Sequence, residues 1–144
     1  MTPTVFHVGR RVYTTAAVLT LIVAALHAYG MSQPMPPELD IAVQAMQSAR
    51  ADMGLGMAPS VWDFDRSLAY GMSIALAMMG LLGLILAGTP EATSRVLSRT
   101  AAVMTAGCIA LTALCWIYKV PPPLLMFGVL TLCWGLAQRT TRLA

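Results

Sequence analysis

The chain has 144 residues, of which 58% are hydrophobic and 10% are charged, and its formal net charge is +3 at pH 7. A water-soluble domain of ordinary composition carries about a quarter charged residues. The nine Lys and Arg and six Asp and Glu residues are too few to cover such a surface, so we expect lipid to be the solvent for much of it. The basic residues occur in ones and twos without forming a stripe, which excludes a nucleic-acid partner.

Four apolar stretches are candidates to cross a bilayer as α-helices. A membrane helix needs about 20 mostly apolar residues, because its backbone polar groups must bond within the segment. The stretches run from about Val12 to Tyr29, Leu68 to Ala87, Ala101 to Tyr118 and Leu124 to Ala137. Although basic residues precede the first stretch, no Ala-x-Ala site follows it, so we expect an uncleaved helix. The sequence therefore predicts an all-α fold, in which residues 1–144 form a single domain, a four-transmembrane-helix bundle.

An external segment over about residues 30–60 separates the first two spans, and it is longer than most helix connections in bundles. Pro36 and Pro37 precede Glu38 and Asp40, which suits the start of a helix. Apolar residues then recur at spacings of three and four, namely Leu39, Ala42, Val43, Met46, Ala49 and Met53. This pattern predicts an external amphipathic helix from about Pro37 to Met53.

A second helix start follows Pro59. Ser60 is placed as an N-cap residue, and Asp63 three positions later completes the pattern of a capping box. The pattern predicts that the second helix begins at Val61, outside the hydrocarbon, and continues to Ala87.

The positions of Lys and Arg predict the orientation, because positively charged loops stay in the cytoplasm. Six basic residues fall on one side of the four spans: Arg10, Arg11, Arg95, Arg99, Arg139 and Arg142. Three fall on the other side: Arg50, Arg66 and Lys119. We therefore expect both termini to be cytoplasmic.

Polar and aromatic residues gather at the external ends of the predicted spans. They are His27 and Tyr29 in the first span, Trp62, Asp63, Asp65, Arg66 and Tyr70 at the start of the second, and Trp116, Tyr118 and Lys119 at the end of the third. One interpretation is an outer-leaflet pocket, in which a histidine and a carboxylate exchange protons or hold the head of a quinone, sterol or other lipid. The other interpretation is an interfacial belt of anchoring residues and helix caps, which is the commoner arrangement.

The sequence indicates no metal site. His7 and His27 are 20 residues apart, about 30 Å along a continuous helix, which disfavours a bis-histidine haem within one protomer. The eleven methionines are loosely spaced, so copper is also disfavoured. Cys108, Cys115 and Cys133 lie in apolar stretches, where thiols are usually inert. The cofactor therefore stays open, with a quinone or a lipid as the candidates.

Short motifs in roughly the first 85 residues resemble a family of small four-helix bacterial inner-membrane proteins. They are the stretch from His27 through Pro37, the tripeptide Ala45-Met46-Gln47, and Ser60-Val61-Trp62-Asp63-Phe64 before a span that contains Gly and Ser. The resemblance implies four spans in a bacterial inner membrane, and it implies no particular activity.

Three functions of different classes are compatible with these features. The first is a binding or accessory membrane protein, which holds a lipid-like ligand at its external end or joins a larger membrane complex. The second is an oxidoreductase or lipid-modifying enzyme with an outer-leaflet site, in which His27 works with Asp63 or Asp65. The third is a transporter subunit, for which the mid-membrane offers only hydroxyls such as Thr20 and Ser73.

The sequence favours the first function, because ionisable groups are nearly absent at mid-membrane. Its expected partners are the lipid bilayer and either another copy of the chain or a different membrane protein. The ligand and the oligomeric state stay open.

Overall fold

The computed structural model describes residues 3–52 and 57–143, and within these ranges the chain is helical and contains no strand. The helices are α1 (Pro3–Ser32), α2 (Asp40–Ser48), α3 (Val61–Gly88), α4 (Ser94–Ile117) and α5 (Pro121–Leu143). A 3₁₀ turn over Pro37–Leu39 leads into α2. The all-α class predicted from the sequence is confirmed.

Three helices are long and apolar enough to cross a membrane, namely α1 over His7–Ser32, α3 over Val61–Gly88 and α4 over Ser94–Ile117. The fifth helix, α5, is 23 residues long but less apolar. It opens on three consecutive prolines, and Gln138, Arg139 and Arg142 fall in its last turns.

Large apolar side chains lie on the outer faces of the long helices. Ile74 and Ile85 on α3 are 62% and 63% exposed, Val103 on α4 is 71% exposed, and Leu132 on α5 is 74% exposed. Exposed apolar surface of this extent is a liability in water and is the ordinary surface of a helix in lipid. The outward-facing residues therefore fit a membrane environment.

The chain forms two compact units, one comprising residues 1–23 and 76–144 and the other comprising residues 24–75. In the first unit, the largest fully buried side chains are Trp134, Tyr13, Phe127, Leu76, Leu97 and Leu130. They come from α1, α3, α4 and α5, so all four helices of this unit contribute to its core.

Helices α1 and α5 pack closely in the first unit. The rings of Tyr13 and Trp134 meet edge to face, with 5.1 Å between their centroids. Towards the N-terminal end of α1, a Cβ atom built on Gly9 would lie 3.0 Å from the carbonyl oxygen of Thr140. These contacts at Gly9 and Tyr13, one turn apart on α1, show that the two helices pack against each other.

Helices α4 and α5 form an antiparallel hairpin in the same unit. The hydroxyls of Thr112 and Thr131 are 3.3 Å apart at the middle of α5. At the far end of the hairpin, the Ser98 hydroxyl lies 3.5 Å from the carbonyl oxygen of Gln138. These two contacts are 14 residues apart on α4, about 21 Å, and seven residues apart on α5, about 10 Å.

One arginine binds the end of α3 in the first unit. The Arg10 guanidinium donates to the carbonyl oxygens of Ala87 and Thr89. The last carbonyl groups of a helix have no partner within the helix, and they form the negative end of its dipole. Arg10 therefore caps α3 and fixes the start of α1 beside it.

The second unit contains the end of α1, the short helix α2 and the start of α3. Here the expected external helix is shorter than the predicted range of Pro37 to Met53, because α2 ends at Ser48. Ala49 has an extended backbone, and Arg50 pairs with Ser60 in an isolated antiparallel bridge. Met53 lies outside the described residues.

Bonds to the segment before α3 explain this early end. The Ala51 N–H donates to Pro59 O at 3.1 Å, and the Val61 N–H donates to Ala49 O at 2.9 Å. The guanidinium of Arg50 adds a bond to Ala58 O at 2.9 Å. These bonds draw residues 49–51 out of the helix and against residues 58–61.

Candidate functional site

His27 joins the two long helices of the second unit. Its Nδ1 lies 2.8 Å from the Oγ of Ser73 on α3, and the serine is buried while the imidazole is half-buried. The Ser73 hydroxyl also lies 3.3 Å from the carbonyl oxygen of Ala69. When the hydroxyl donates to this carbonyl, it accepts the Nδ1 proton, and Nε2 becomes the acceptor of the neutral ring. In that arrangement His27 can accept a hydrogen bond from a ligand hydroxyl.

Asp63 binds the start of its own helix. Its Oδ2 accepts hydrogen bonds from the Ser60 backbone N–H at 3.0 Å and from the Ser60 hydroxyl at 2.7 Å. The Asp63 N–H donates in return to the Ser60 Oγ at 3.1 Å. The predicted capping box is confirmed, and so is the predicted start of the helix at Val61. Within the described ranges, the partner of His27 is a serine hydroxyl and not this carboxylate.

Arg66 lies between two aromatic rings on α3. Its guanidinium carbon is 5.3 Å from the centroid of the Trp62 ring and 5.4 Å from that of Tyr70. One guanidinium nitrogen also lies 3.4 Å from the Tyr70 hydroxyl. Each cation–π contact at such a site stabilises by about 0.5–1 kcal/mol. The stack brings together three of the predicted site residues and is typical of the interface between membrane and water.

Tyr29 and Asp65 lie on the surface of the second unit. The Tyr29 side chain is 65% exposed, and its carbonyl oxygen accepts a hydrogen bond from the Ser32 hydroxyl at 2.7 Å. Asp65 is exposed on the first turns of α3.

The remaining predicted site residues, Trp116, Tyr118 and Lys119, lie at the turn between α4 and α5 in the first unit. Trp116 is 72% exposed and Tyr118 is 73% exposed. Lys119 has a φ of 53°, a left-handed conformation that is uncommon for a residue with a side chain.

The backbone explains this conformation of Lys119. The Val120 N–H donates to Cys115 O at 3.0 Å, and the Lys119 N–H donates to Trp116 O at 3.2 Å. This pair of bonds is the Schellman motif, in which the residue after the C-cap is usually glycine. Lys119 therefore has a structural role in ending α4.

An apolar groove lies between α4 and α5 near this turn. Its volume is about 380 Å³, and its lining includes Ile109, Ala113, Trp116, Leu124 and the Thr112–Thr131 pair. A groove with this lining can accept an acyl or isoprenoid chain. It places Trp116 at a candidate binding surface of the first unit.

The described residues contain no group of three His, Cys, Asp or Glu side chains that could hold a metal ion. Cys108, Cys115 and Cys133 are free thiols, and the first of them is buried.

Ser73 is absent from the site that the sequence predicts. In the sequence it is one of several hydroxyls in an apolar run, and nothing in its spacing indicates the register of α1 against α3. The sequence signal that could have pointed to Ser73 is the imidazole of His27, because a polar ring near the end of an apolar helix needs a hydrogen-bond partner.

Comparisons with protein-family models, with curated proteins and with solved structures give no match to this chain. The fold and the site define the class: an α-helical protein with three helices fit to cross a membrane.

Proposed function

We propose that the chain is a small integral membrane protein of binding or accessory type, located in the bacterial inner membrane. It crosses the bilayer four times, with both termini cytoplasmic. At its external end it holds a lipid-like ligand, such as a quinone or a lipid, or it joins a larger membrane complex there.

The position of α5 supports the fourth span. This helix lies antiparallel to α4 from the Thr112–Thr131 contact to the Ser98–Gln138 contact. With 23 residues, α5 is about 34 Å long, which is enough to cross the hydrocarbon core of about 30 Å. Its less apolar residues, from Gln138 onwards, fall at the end of the helix, where they reach the interface.

The arginines of the first unit support the orientation. Arg10 contacts the end of α3, and Arg95, Arg99 and Arg142 line one groove between the start of α4 and the end of α5. Four arginines thus lie at helix ends that would share one side of the membrane. By the positive-inside rule that side is the cytoplasm.

The buried polar residues support a binding role over a catalytic one. In the part of the chain that the structure describes, the buried side chains that bear an oxygen are those of Thr20, Ser60, Ser73 and Thr141 and the phenol of Tyr13. Thr20 and Thr141 each donate to a carbonyl oxygen of their own helix, at 2.9 Å and 2.7 Å. Such hydroxyls stabilise helix packing and supply no general acid or base near neutral pH.

The test is native mass spectrometry with lipid extraction and an absorbance scan, on protein purified in mild detergent. We expect a retained quinone or lipid at a fixed stoichiometry in the wild type and a reduced amount in His27→Ala. Retention that is equal in His27→Ala would place the ligand elsewhere. Protein that is folded but carries no bound molecule would contradict ligand binding and leave the accessory role.

An enzyme with an outer-leaflet site is the second candidate, and the His27–Ser73 bond favours it. The bond orients the imidazole and leaves one ring nitrogen for a substrate. Ser73→Ala removes this orientation but keeps the ring. Chemical alteration of the extracted quinone or lipid over time by the wild type, and not by Ser73→Ala, would show that the protein is an enzyme and not a binding protein.

A further inference from the structure

A polar groove separates the start of α4 from the end of α5 in the first unit. Its volume is about 350 Å³. Three arginines line it, Arg95, Arg99 and Arg142, together with Ser94, Ser98 and Gln138. Arg95 and Arg99 are four residues apart, so they lie on one face of α4, and Arg142 reaches the groove from α5.

No acidic residue is among the described residues that line this groove. Of the six acidic residues of the chain, Glu91 alone falls within the first unit. The three arginine side chains are exposed, and no group in the described ranges accepts a hydrogen bond from them. Three unpaired guanidinium groups around one groove repel one another, and a bound anion would relieve that repulsion.

We propose that this groove binds the headgroup of an anionic phospholipid that carries two phosphates. Guanidinium groups pair with phosphate oxygens through two parallel hydrogen bonds, and three positive charges exceed the charge of a single phosphodiester.

The surroundings of the groove favour a lipid over a soluble anion. Further along the α4 face that carries Arg95 and Arg99, Ile109 and Ala113 are exposed and line the apolar groove against α5. Acyl chains lying on these side chains would place the phosphates at the helix ends. Basic pockets between helices on the cytoplasmic side are known sites for such headgroups. The assignment of the groove to the cytoplasmic leaflet rests on the proposed orientation, whereas binding of the headgroup does not.

The test is a titration of the full chain in mild detergent with cardiolipin, followed by native mass spectrometry. Phosphatidylethanolamine and pyrophosphate are the comparison ligands. We expect cardiolipin to bind more tightly than both, and the variant R95Q/R142Q to lose at least about tenfold in affinity. R95K/R142K keeps the charge without the planar guanidinium, and its affinity for cardiolipin should lie between those of the wild type and R95Q/R142Q. The control R11Q removes an exposed arginine outside the groove and should change the affinity by less than about twofold.

Several outcomes would overturn the inference. Equal binding of phosphatidylethanolamine, or an equal loss of affinity in R11Q, would indicate unspecific adsorption. Pyrophosphate that binds as tightly as cardiolipin would indicate a site for a soluble anion. If circular dichroism shows that R95Q/R142Q is unfolded, the single variant R99Q replaces it, and an unchanged affinity there would contradict the proposal. The titration in detergent does not depend on the number of spans, so its failure is distinct from a failure of the proposed topology.

Discussion

The indole Nε1 of Trp134 on α5 donates a hydrogen bond to the Thr20 hydroxyl on α1, at 3.0 Å and fully buried. Thr20 donates its own proton to the carbonyl oxygen of Ala16 at 2.9 Å. Both polar groups are therefore satisfied inside the first unit, and the bond connects residues 114 positions apart. It fixes the rotation of α5 against α1 in a core where apolar packing alone is less directional.

Thr20→Val is expected to destabilise the protein more than its change in volume suggests. The variant keeps the shape but leaves the buried indole N–H without an acceptor, which costs about 1–3 kcal/mol. Thr20→Ser keeps the acceptor and should cost less. The free energies of unfolding in detergent of the three proteins, followed by circular dichroism, test this order. Equal stabilities of Thr20→Val and Thr20→Ser would show that the bond contributes little.

Gly83 allows a close approach between α1 and α3 in the first unit. A Cβ atom at this position would lie 2.9 Å from the Cβ of Ala17 and 3.3 Å from the ring of Trp134. Gly83→Ala is expected to destabilise by about 1–3 kcal/mol, because backbone-attached atoms must move to make room.

Gly128→Ala is the matched control for this substitution. Gly128 is also within a long helix, but a Cβ there meets nothing within 4 Å. The control should be neutral or slightly stabilising, since alanine favours helix more than glycine by about 1 kcal/mol. The measurement is thermal unfolding of both variants beside the wild type, and similar shifts for the two glycines would refute the packing argument.

The sequence predicts the long helices well, because a run of apolar residues and the capping pair Ser60 and Asp63 are local signals. It overestimates α2, because the end at Ser48 depends on bonds between residues 49–51 and 58–61. The periodic spacing that predicts a helix to Met53 contains no information about this pairing. Non-local bonds here outweigh helix propensity.

The candidate site shows the same limit. The residues that share one helix, Trp62, Arg66 and Tyr70, are predicted together and do lie together, because positions four apart share a face. The pairing of His27 with Ser73 depends on how two helices are rotated and shifted against each other. Hydrophobic patterns identify which face is buried but do not identify the opposing residue.

Lys119→Gly is expected to stabilise the turn between α4 and α5. Lys119 has a left-handed backbone at the position of the Schellman motif that glycine usually occupies. The left-handed conformation costs a residue with a Cβ about 1–2 kcal/mol, and glycine avoids this cost. Part of the gain is lost because glycine is more flexible in the unfolded chain, so a net gain of about 1 kcal/mol is expected.

Lys119→Ala separates backbone strain from charge. It removes the ammonium group but keeps the Cβ, so its stability should stay within about 0.5 kcal/mol of the wild type. Thermal unfolding in detergent compares the three proteins. If alanine stabilises as much as glycine does, repulsion involving the lysine charge is the cause, and the backbone argument is wrong.

The proposed four-span topology predicts opposite locations for the two ends of α5. The turn at Lys119 should be external and the end of the chain cytoplasmic, because α5 returns antiparallel to α4 at both of its hydrogen-bonded contacts. Fusions of alkaline phosphatase and of green fluorescent protein after Lys119 and after Ala144 test this in bacterial cells, since the phosphatase is active only outside and the fluorescent protein only inside. We expect phosphatase activity at Lys119 and fluorescence at Ala144. Phosphatase activity at both points would mean that α5 packs against its neighbours without crossing, and the chain would then have three spans with its ends on opposite sides.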